Sequence, residues 1–150
     1  MDALDRLLPT LVEARVDLLE QPVPRGSEHL LDGFRCPIAI AADESLLGPD
    51  DLPSLPGRFQ VANIKLDKCG GLTEALLMEA GARKLGLRVM VGNMAGSSLA
   101  AAPAFLLGQR CDFVDLDGPA FLAKDQEPHV DYRYGLINCP PAVWGYANRR

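Results

Sequence analysis

Short apolar runs alternate with longer helical segments along most of the 150 residues, and this pattern limits the folds that the chain can adopt. Five apolar runs each lead into a polar side chain, and these are Glu20, Asp43, Lys65, Asn93 and Asp115. They follow one another at steps of 23, 22, 28 and 22 residues, which is about the length of one βα unit. Strands and helices that alternate without a clear linker predict a parallel sheet covered by helices, an α/β fold.

The apolar periodicity also sets approximate limits for the individual elements. Strands are predicted at residues 16–19, 37–42, 61–66, 88–91 and 112–116, and the first of them is expected to be buried. Helices are predicted at residues 3–15, 27–31, 72–85 and 98–107. In the third helix Thr73 is the expected cap, and the expected buried stripe consists of Leu72, Ala75, Leu76 and Ala80. The segment from residue 125 onward predicts a short hairpin with a loose end.

Composition narrows the class of protein. The chain is 48% hydrophobic and 23% charged, as in ordinary globular proteins, and its net charge of −5 argues against nucleic acid as a partner. No apolar run reaches the roughly 18 residues of a membrane span. The acidic start of the chain is unlike a signal peptide. Four cysteines without a CxxC pair indicate reduced, buried thiols, so we expect a cytoplasmic protein that binds neither membrane nor nucleic acid.

The polar residues at the strand ends are candidates for a catalytic site, because chemistry in a (β/α) barrel takes place at the carboxyl ends of the strands. Glu20 and Asp43 offer the oxygen ligands that Mg²⁺ prefers. Lys65 is expected to lose its proton more easily than a free lysine, since burial and a nearby cation both disfavour the ammonium. Such a base removes a proton α to a carboxylate, and the metal stabilises the resulting enediolate.

Each of these residues, taken singly, also has an ordinary structural interpretation. A carboxylate such as Glu20 or Asp43 often caps a helix or pairs with an arginine, and a rim lysine such as Lys65 often pairs with an acid. Asp115 and Asp117 lie two apart, so on an extended segment both face the same way and suit an ammonium group. The Asp-Gly-Pro sequence that follows is equally typical of a turn.

The ordered set of motifs is more specific than any single residue. It consists of Leu-Leu-Glu20-Gln-Pro, Ala-Asp43-Glu-Ser, Asn-Ile-Lys65-Leu-Asp-Lys-Cys-Gly-Gly and Asp115-Leu-Asp117-Gly-Pro. From about residue 3 to residue 137, the chain resembles the muconate-lactonizing subgroup of the enolase superfamily. Within that subgroup it is most similar to L-Ala-D/L-Glu and related dipeptide epimerases.

The resemblance implies a partial TIM-type barrel, namely strands 4–8 of a (β/α)₇β barrel in residues 1–137, followed by a weakly patterned tail in residues 138–150. It implies that the N-terminal capping domain and the first strands are absent. It also implies that Glu20 and Asp43 are Mg²⁺ ligands and that Lys65 is one of two acid/base lysines. Asp115 and Asp117 match the pair that binds the free amino group of the dipeptide.

The resulting functional hypothesis is Mg²⁺-dependent epimerisation of dipeptides by a longer parent enzyme, an isomerase, with the fragment inactive alone. Two alternatives remain open: another reaction of the subgroup, such as cycloisomerase or o-succinylbenzoate synthase chemistry, and a non-enzymatic half-barrel module. Exposed strand edges are templates for further pairing. We therefore expect the isolated chain to be marginally stable and to self-associate, or to bind a complementing N-terminal half.

Overall fold

The computed structural model describes residues 2–144, and its centre is a parallel sheet of five strands. The strands are β1 (Leu18–Glu20), β2 (Ala39–Ala42), β3 (Val61–Lys65), β4 (Arg88–Gly92) and β5 (Phe113–Asp115). Each strand pairs in parallel with the next one in the chain, so the sheet order is β1-β2-β3-β4-β5. This architecture confirms the predicted α/β fold and is that of part of a TIM-type barrel.

Helices and short turns connect the strands. The helices are α1 (Asp2–Glu13), α2 (Leu66–Cys69), α3 (Leu72–Lys84) and α4 (Ser98–Gly108). Short 3₁₀ helices cover Glu28–Leu31, Pro49–Ser54, Gly118–Phe121 and Pro141–Trp144. The predicted hairpin is present as the antiparallel pair β6 (Asp131–Arg133) and β7 (Leu136–Asn138). Within the predicted tail, Val143 is buried, and residues 145–150 lie outside the described part of the chain. None of the described helices is long and apolar enough to cross a lipid bilayer.

The two faces of the sheet differ because side chains alternate along each strand. On β3, Ala62 and Ile64 point into the main core beneath the helices, whereas Val61 belongs to a small second cluster on the opposite face. That second cluster also contains Ala41 and Met90. The face opposite the helices is therefore apolar along the strands and becomes polar only at their carboxyl ends.

The buried stripe of α3 differs from the prediction. Leu76 is 38% exposed, and the buried residues of the helix are Ala75, Met78, Glu79 and Ala82. A carboxylate is tolerated inside because Glu79 accepts hydrogen bonds from the guanidinium groups of Arg83 and Arg110. This pairing fixes the rotation of the helix and turns Leu76 outward.

The start of α3 also differs from the prediction. Gly71 occupies the N-cap position and Thr73 lies within the first turn. The reason is the backbone: Gly70 and Gly71 have φ angles of 94° and 113°, which only glycine adopts readily, and they turn the chain directly from α2 into α3.

Strand β1 is less buried than predicted, since its leucines are only half-buried. Within the described residues it has a neighbour on one side only, which leaves it at the edge of the sheet. The preceding helix, α1, carries the predicted leucine stripe but has no buried residue, and Leu7 is 49% exposed.

Candidate active site

The carboxyl ends of the strands bring the predicted residues to one rim. Lys65 at the end of β3 is in register with Gly92 of β4, and Gly92 is in register with Asp115 of β5. Glu20 ends β1, and Asp43 directly follows β2. Strand alternation points Asn63 and Lys65 to the same face, which is the face opposite the helices.

Three of the five predicted site residues are in direct contact or nearly so. The Nζ atom of Lys65 lies 2.8 Å from Oδ2 of Asp43 and 4.0 Å from Oε1 of Glu20. Asn63, which is fully buried, donates a hydrogen bond from Nδ2 to Oε1 of Glu20. The structure thus places a lysine between two carboxylates, one of which is held by a buried amide.

A second lysine, absent from the sequence-based prediction, completes this cluster. Lys68 on α2 donates from Nζ to the main-chain oxygen of Asp43 at 2.7 Å and to its Oδ1 at 2.5 Å. The side chains of Lys68 and Asp43 are each only 12% exposed. Both carboxylate oxygens of Asp43 are therefore bound to ammonium groups.

These contacts determine the protonation behaviour of the cluster. Burial by itself raises the pKa of Asp43, but the hydrogen bonds from Lys65 and Lys68 outweigh it and hold that pKa below its usual value. Burial likewise favours a low pKa for Lys65, yet the hydrogen bond and charge of Asp43 raise it above the ordinary lysine value. Among these residues alone, the carboxylates stabilise the ammonium of Lys65 more than burial disfavours it. The expected loss of its proton depends also on a nearby cation and stays a prediction.

The pKa of Glu20 shifts in the opposite direction from that of Asp43. It is raised chiefly by burial and further by the negative charge of Asp43, against the hydrogen bond from Asn63, which lowers it. The two carboxylates of the site are therefore inequivalent: Asp43 is held as the anion by two lysines, whereas Glu20 retains a proton to higher pH.

Asp115 ends β5 and Asp117 follows it two residues later, at the same rim. Asp117 has left the extended conformation, with φ −89° and ψ −2°, and precedes the 3₁₀ turn Gly118–Phe121. The two carboxylates are nevertheless close. Desolvation raises the pKa of Asp115, and the charge of Asp117 raises it further, whereas the charge of Lys65 acts in the opposite sense. Two adjacent acids of this kind favour a cation between them.

A network of uncharged and charged groups supports the loop that carries Asp43. The Oε1 atom of Gln21 accepts hydrogen bonds from the main-chain nitrogens of Asp43 at 2.8 Å and Ser45 at 3.2 Å. The hydroxyl of Ser45 donates to Glu28 at 2.6 Å. That bond and a main-chain donor from Gly26 lower the pKa of Glu28 to about 2. The loops after β1 and β2 are thereby tied together beneath the site.

Sequence reasoning missed Lys68 and the role of Gln21, although both lie inside the quoted motifs. Lys68 follows Lys65 by three residues, and the single turn of α2 returns it over Asp43. The signal available in the sequence was this spacing, which only becomes informative once a helical turn is known to follow the strand.

The carboxylates of Glu20 and Asp43 are the type of ligand that a hard divalent cation prefers, but they are too few to fill its coordination shell. Glu20 and Asp43 supply carboxylate oxygens at one rim, which is the ligand type that Mg²⁺ prefers. Among residues 2–144, no group of three or more His, Cys, Asp or Glu side chains is arranged to hold a metal ion. The described residues would contribute two ligands, fewer than the octahedral shell of Mg²⁺ requires.

The parallel five-stranded sheet, with polar side chains at the carboxyl ends of its strands, is the arrangement of part of a (β/α) barrel, a fold whose sites lie at those ends. Residues 2–140 match the model of the family described as enolase C-terminal domain-like, and the chain belongs to that family. This confirms the resemblance drawn from the motifs.

Similar proteins of established activity are isomerases. The chain is 45% identical over 146 residues to an N-acetyl-D-glutamate racemase from a Pseudoalteromonas species, which covers 97% of this chain and 46% of that protein. It is 43% identical over 128 residues to the L-Ala-D/L-Glu epimerase of Escherichia coli K12, covering 85% of this chain and 40% of that enzyme. The chain therefore spans less than half the length of the curated relatives it matches.

Solved structures agree with these relatives. An enolase family member from Agrobacterium tumefaciens with homology to dipeptide epimerases, bound to sodium and L-Ala-L-Glu, superposes with a TM-score of 0.89 at 45% identity, covering 96% of this chain and 44% of that one. A dipeptide epimerase from Methylococcus capsulatus complexed with Mg and the dipeptide L-Arg-D-Lys gives a TM-score of 0.83 at 36% identity, covering 93% of this chain and 42% of that one.

Proposed function

We propose that the protein containing this chain is an epimerase that inverts the α-carbon beside the carboxylate of a dipeptide such as L-Ala-D/L-Glu. The observation that carries the proposal is the position of Lys65, 2.8 Å from Asp43 and 4.0 Å from Glu20 at the carboxyl rim of the sheet. In this reaction Lys65 takes the α-proton on one face of the substrate and returns it there in the reverse direction.

Glu20 and Asp43 are the proposed holders of Mg²⁺. The bound metal supplies Lewis-acid stabilisation of the negative charge that develops on the substrate carboxylate. Asn63 orients Glu20, and Lys68 fixes Asp43, so the two carboxylates are already in position before the metal binds. Epimerisation requires a second base on the other face, and we place it in the part of the relatives' length that this chain does not span.

Asp115 and Asp117 are proposed to bind the ammonium group of the dipeptide. Burial and the charge of Asp117 both raise the pKa of Asp115, and the repulsion between the two carboxylates is relieved when a cation lies between them. Because Asp115 is in register with Gly92, and Gly92 with Lys65, the backbones of Lys65 and Asp115 are two strand spacings of about 4.8 Å each apart, on either side of β4.

A second candidate, racemisation of an N-acylated amino acid, is favoured by one specific observation. The relative at 45% identity is an N-acetyl-D-glutamate racemase, and an N-acetylated amino acid has no ammonium group. The two candidates share the proton that Lys65 would remove and differ in whether the Asp115–Asp117 pair has a partner. The two candidates are therefore distinguished by whether the substrate carries a positive charge that pairs with Asp115 and Asp117.

The experiment is α-proton exchange in D₂O with Mg²⁺, using the protein in its full natural length. L-Ala-L-Glu, L-Ala-D-Glu and both enantiomers of N-acetylglutamate serve as substrates. Lys65→Ala should lower exchange by about 10²–10⁴-fold, the usual contribution of a positioned acid or base. Lys84→Ala, at the exposed end of α3, is the matched lysine control and should retain wild-type exchange.

Asp115→Asn separates the two candidates. For a dipeptide epimerase it raises KM for dipeptides and leaves exchange of N-acetylglutamate unaffected. An unchanged KM for dipeptides, with N-acetylglutamate as the faster substrate, would move the assignment to the racemase. Absence of exchange with every substrate in a folded full-length protein would support another reaction of the subgroup or a non-enzymatic module.

The open edge of the sheet points to a partner segment. Strand β1 pairs on one side only within the described residues, and neighbouring α1 has no buried residue. We propose that an N-terminal half, in the same chain or added separately, pairs with β1, and that the isolated chain otherwise self-associates. Size-exclusion chromatography of residues 1–150 at micromolar concentration tests this proposal, and a monomer with a sharp thermal transition would contradict it.

A further inference from the structure

Gly92 lies at the centre of the catalytic rim without contributing a side chain to it. It ends β4 and is in register with Lys65 on one neighbouring strand and with Asp115 on the other. The residue is buried, and its φ angle lies outside the left-handed region that requires glycine. The backbone conformation therefore does not explain why a glycine stands at this position.

The space above Gly92 is occupied by the side chains of its neighbour strand. A β-carbon built on Gly92 would lie 2.9 Å from Cε of Lys65 and 2.9 Å from Oδ1 of Asn63, with Nδ2 of Asn63 at 3.3 Å. Distances below 3.0 Å are not tolerated, so any side chain at this position displaces one or both neighbours.

Neither neighbour is free to move without loss of a contact at the site. Asn63 is fully buried, and its Nδ2 atom is committed to Glu20. Its Oδ1 atom has no hydrogen-bond partner among the described residues and faces the slot above Gly92. The end of Lys65 is anchored by Asp43, so a shift of Cε moves the ammonium away from that carboxylate.

We propose that Gly92 is a positioning residue for the base: the missing side chain is what lets Lys65 and Asn63 lie side by side across β4. The absence of a side chain at Gly92 thereby determines the position of Nζ of Lys65 relative to the substrate. It also keeps Asn63 in hydrogen-bond contact with Glu20. The inference rests on the proposed function for its catalytic meaning, whereas its structural content, the displacement of Lys65 by a single methyl group, stands independently.

The test is Gly92→Ala in the full-length protein, with Gly108→Ala as control. A β-carbon on Gly108 would make only ordinary contacts at 3.6 Å, and Gly108 also lies outside the left-handed region. Displacing a reacting group by about 1 Å costs on the order of 10²-fold in rate. We therefore expect Gly92→Ala to lower kcat for exchange by about 10–100-fold, with KM changed less than about threefold.

The stereochemistry of the loss distinguishes positioning from a general structural defect. Lys65→Ala identifies the epimer whose α-proton depends on Lys65. Through Lys65, Gly92→Ala should depress exchange of that epimer much more than of the other. A smaller loss common to both epimers, which persists in the Lys65→Ala background, reports the displacement of Asn63 from Glu20. An equal loss for both epimers, or no loss, would overturn the proposal.

A crystal structure of Gly92→Ala gives a readout independent of activity. The 2.8 Å contact between Lys65 and Asp43 should be broken or lengthened beyond hydrogen-bond range, and an unchanged contact would overturn the proposal. If the wild type exchanges no substrate, the proposed function fails while this structure still decides the positioning role. If Gly92→Ala does not fold, adding Asn63→Ala and Lys65→Ala removes the clashing atoms and must restore folding; failure to do so refutes the inference.

Discussion

Removing the hydroxyl of Ser98, the first residue of α4, should lower the stability of the fold. It is fully buried, its hydroxyl donates to Asp125, and it accepts a hydrogen bond from the main-chain nitrogen of Val130 at 2.8 Å. Its own nitrogen donates to both carboxylate oxygens of Asp125 at 3.1 Å. The residue therefore ties the start of α4 to the segment that follows β5 and Asp117.

The cost of Ser98→Ala follows from these bonds. The hydrogen bond to the Asp125 carboxylate contributes about 1.5–3 kcal/mol, and the stranded N–H of Val130, a residue only 3% exposed, costs about 1–3 kcal/mol more. Asp125 keeps its main-chain donors, from Ser98 and Gln126, so the first contribution is lost only in part. We expect the free energy of unfolding to fall by about 2–4 kcal/mol.

The adjacent Ser97 provides the matched control. It caps α4 by accepting a bond from Ala100 at 3.3 Å, and its loss should cost only about 0.5–1 kcal/mol. Urea denaturation of both variants in the full-length protein measures the difference, and amide exchange at Val130 should be accelerated by Ser98→Ala alone. Equal destabilisation by the two substitutions would refute the assignment of Ser98 as a buried hub.

Three further substitutions test other parts of the fold. The hydrogen bond from Ser45 is the chief cause that lowers the pKa of Glu28 from 4.5 to about 2, so its stabilisation is present above pH 4.5 and is lost as pH falls toward 2. Glu28→Gln should make the urea midpoint vary less with pH over that range, and an unchanged pH dependence would contradict this. Glu79→Ala should lower the free energy of unfolding by about 2–3 kcal/mol, with a coupling of about 1 kcal/mol to Arg110→Ala, and strictly additive losses in that double-mutant cycle would contradict the pairing. Gly118→Ala places a methyl group against a main-chain oxygen of the loop after β4 and should cost about 1–3 kcal/mol in thermal unfolding; a wild-type melting temperature would show that the two loops do not meet.

The sequence was sufficient to predict which polar residues share an edge. Parallel strands that follow one another in the chain place their carboxyl ends together, so a carboxylate after one strand and a lysine at the end of the next had to approach. Asp43 and Lys65 do so at 2.8 Å. The alternation of strands and helices and the hairpin near the C-terminus were also predicted, because periodicity and turn residues are local signals.

Long-range pairing explains what the sequence did not predict. Glu79 was not assigned to the buried face of α3 because a charged residue on a helix ordinarily faces solvent. One of its partners, Arg83, is four residues away, but Arg110 is 31 residues distant and only the fold brings it near. The partial exposure of the β1 leucines was missed for a related reason, because an apolar run looks the same whether its strand has one neighbour or two.

Each strand of the sheet lies beside the strand that immediately precedes it in the polypeptide, and this order has a consequence during synthesis. A ribosome releases the chain from its N-terminus, so every newly emerged strand finds its partner already waiting about one βα unit upstream. The loops to be closed stay short, and no strand has to remain unpaired until a distant segment is made. The sheet can thus grow vectorially, each unit covering the edge that the previous unit left open.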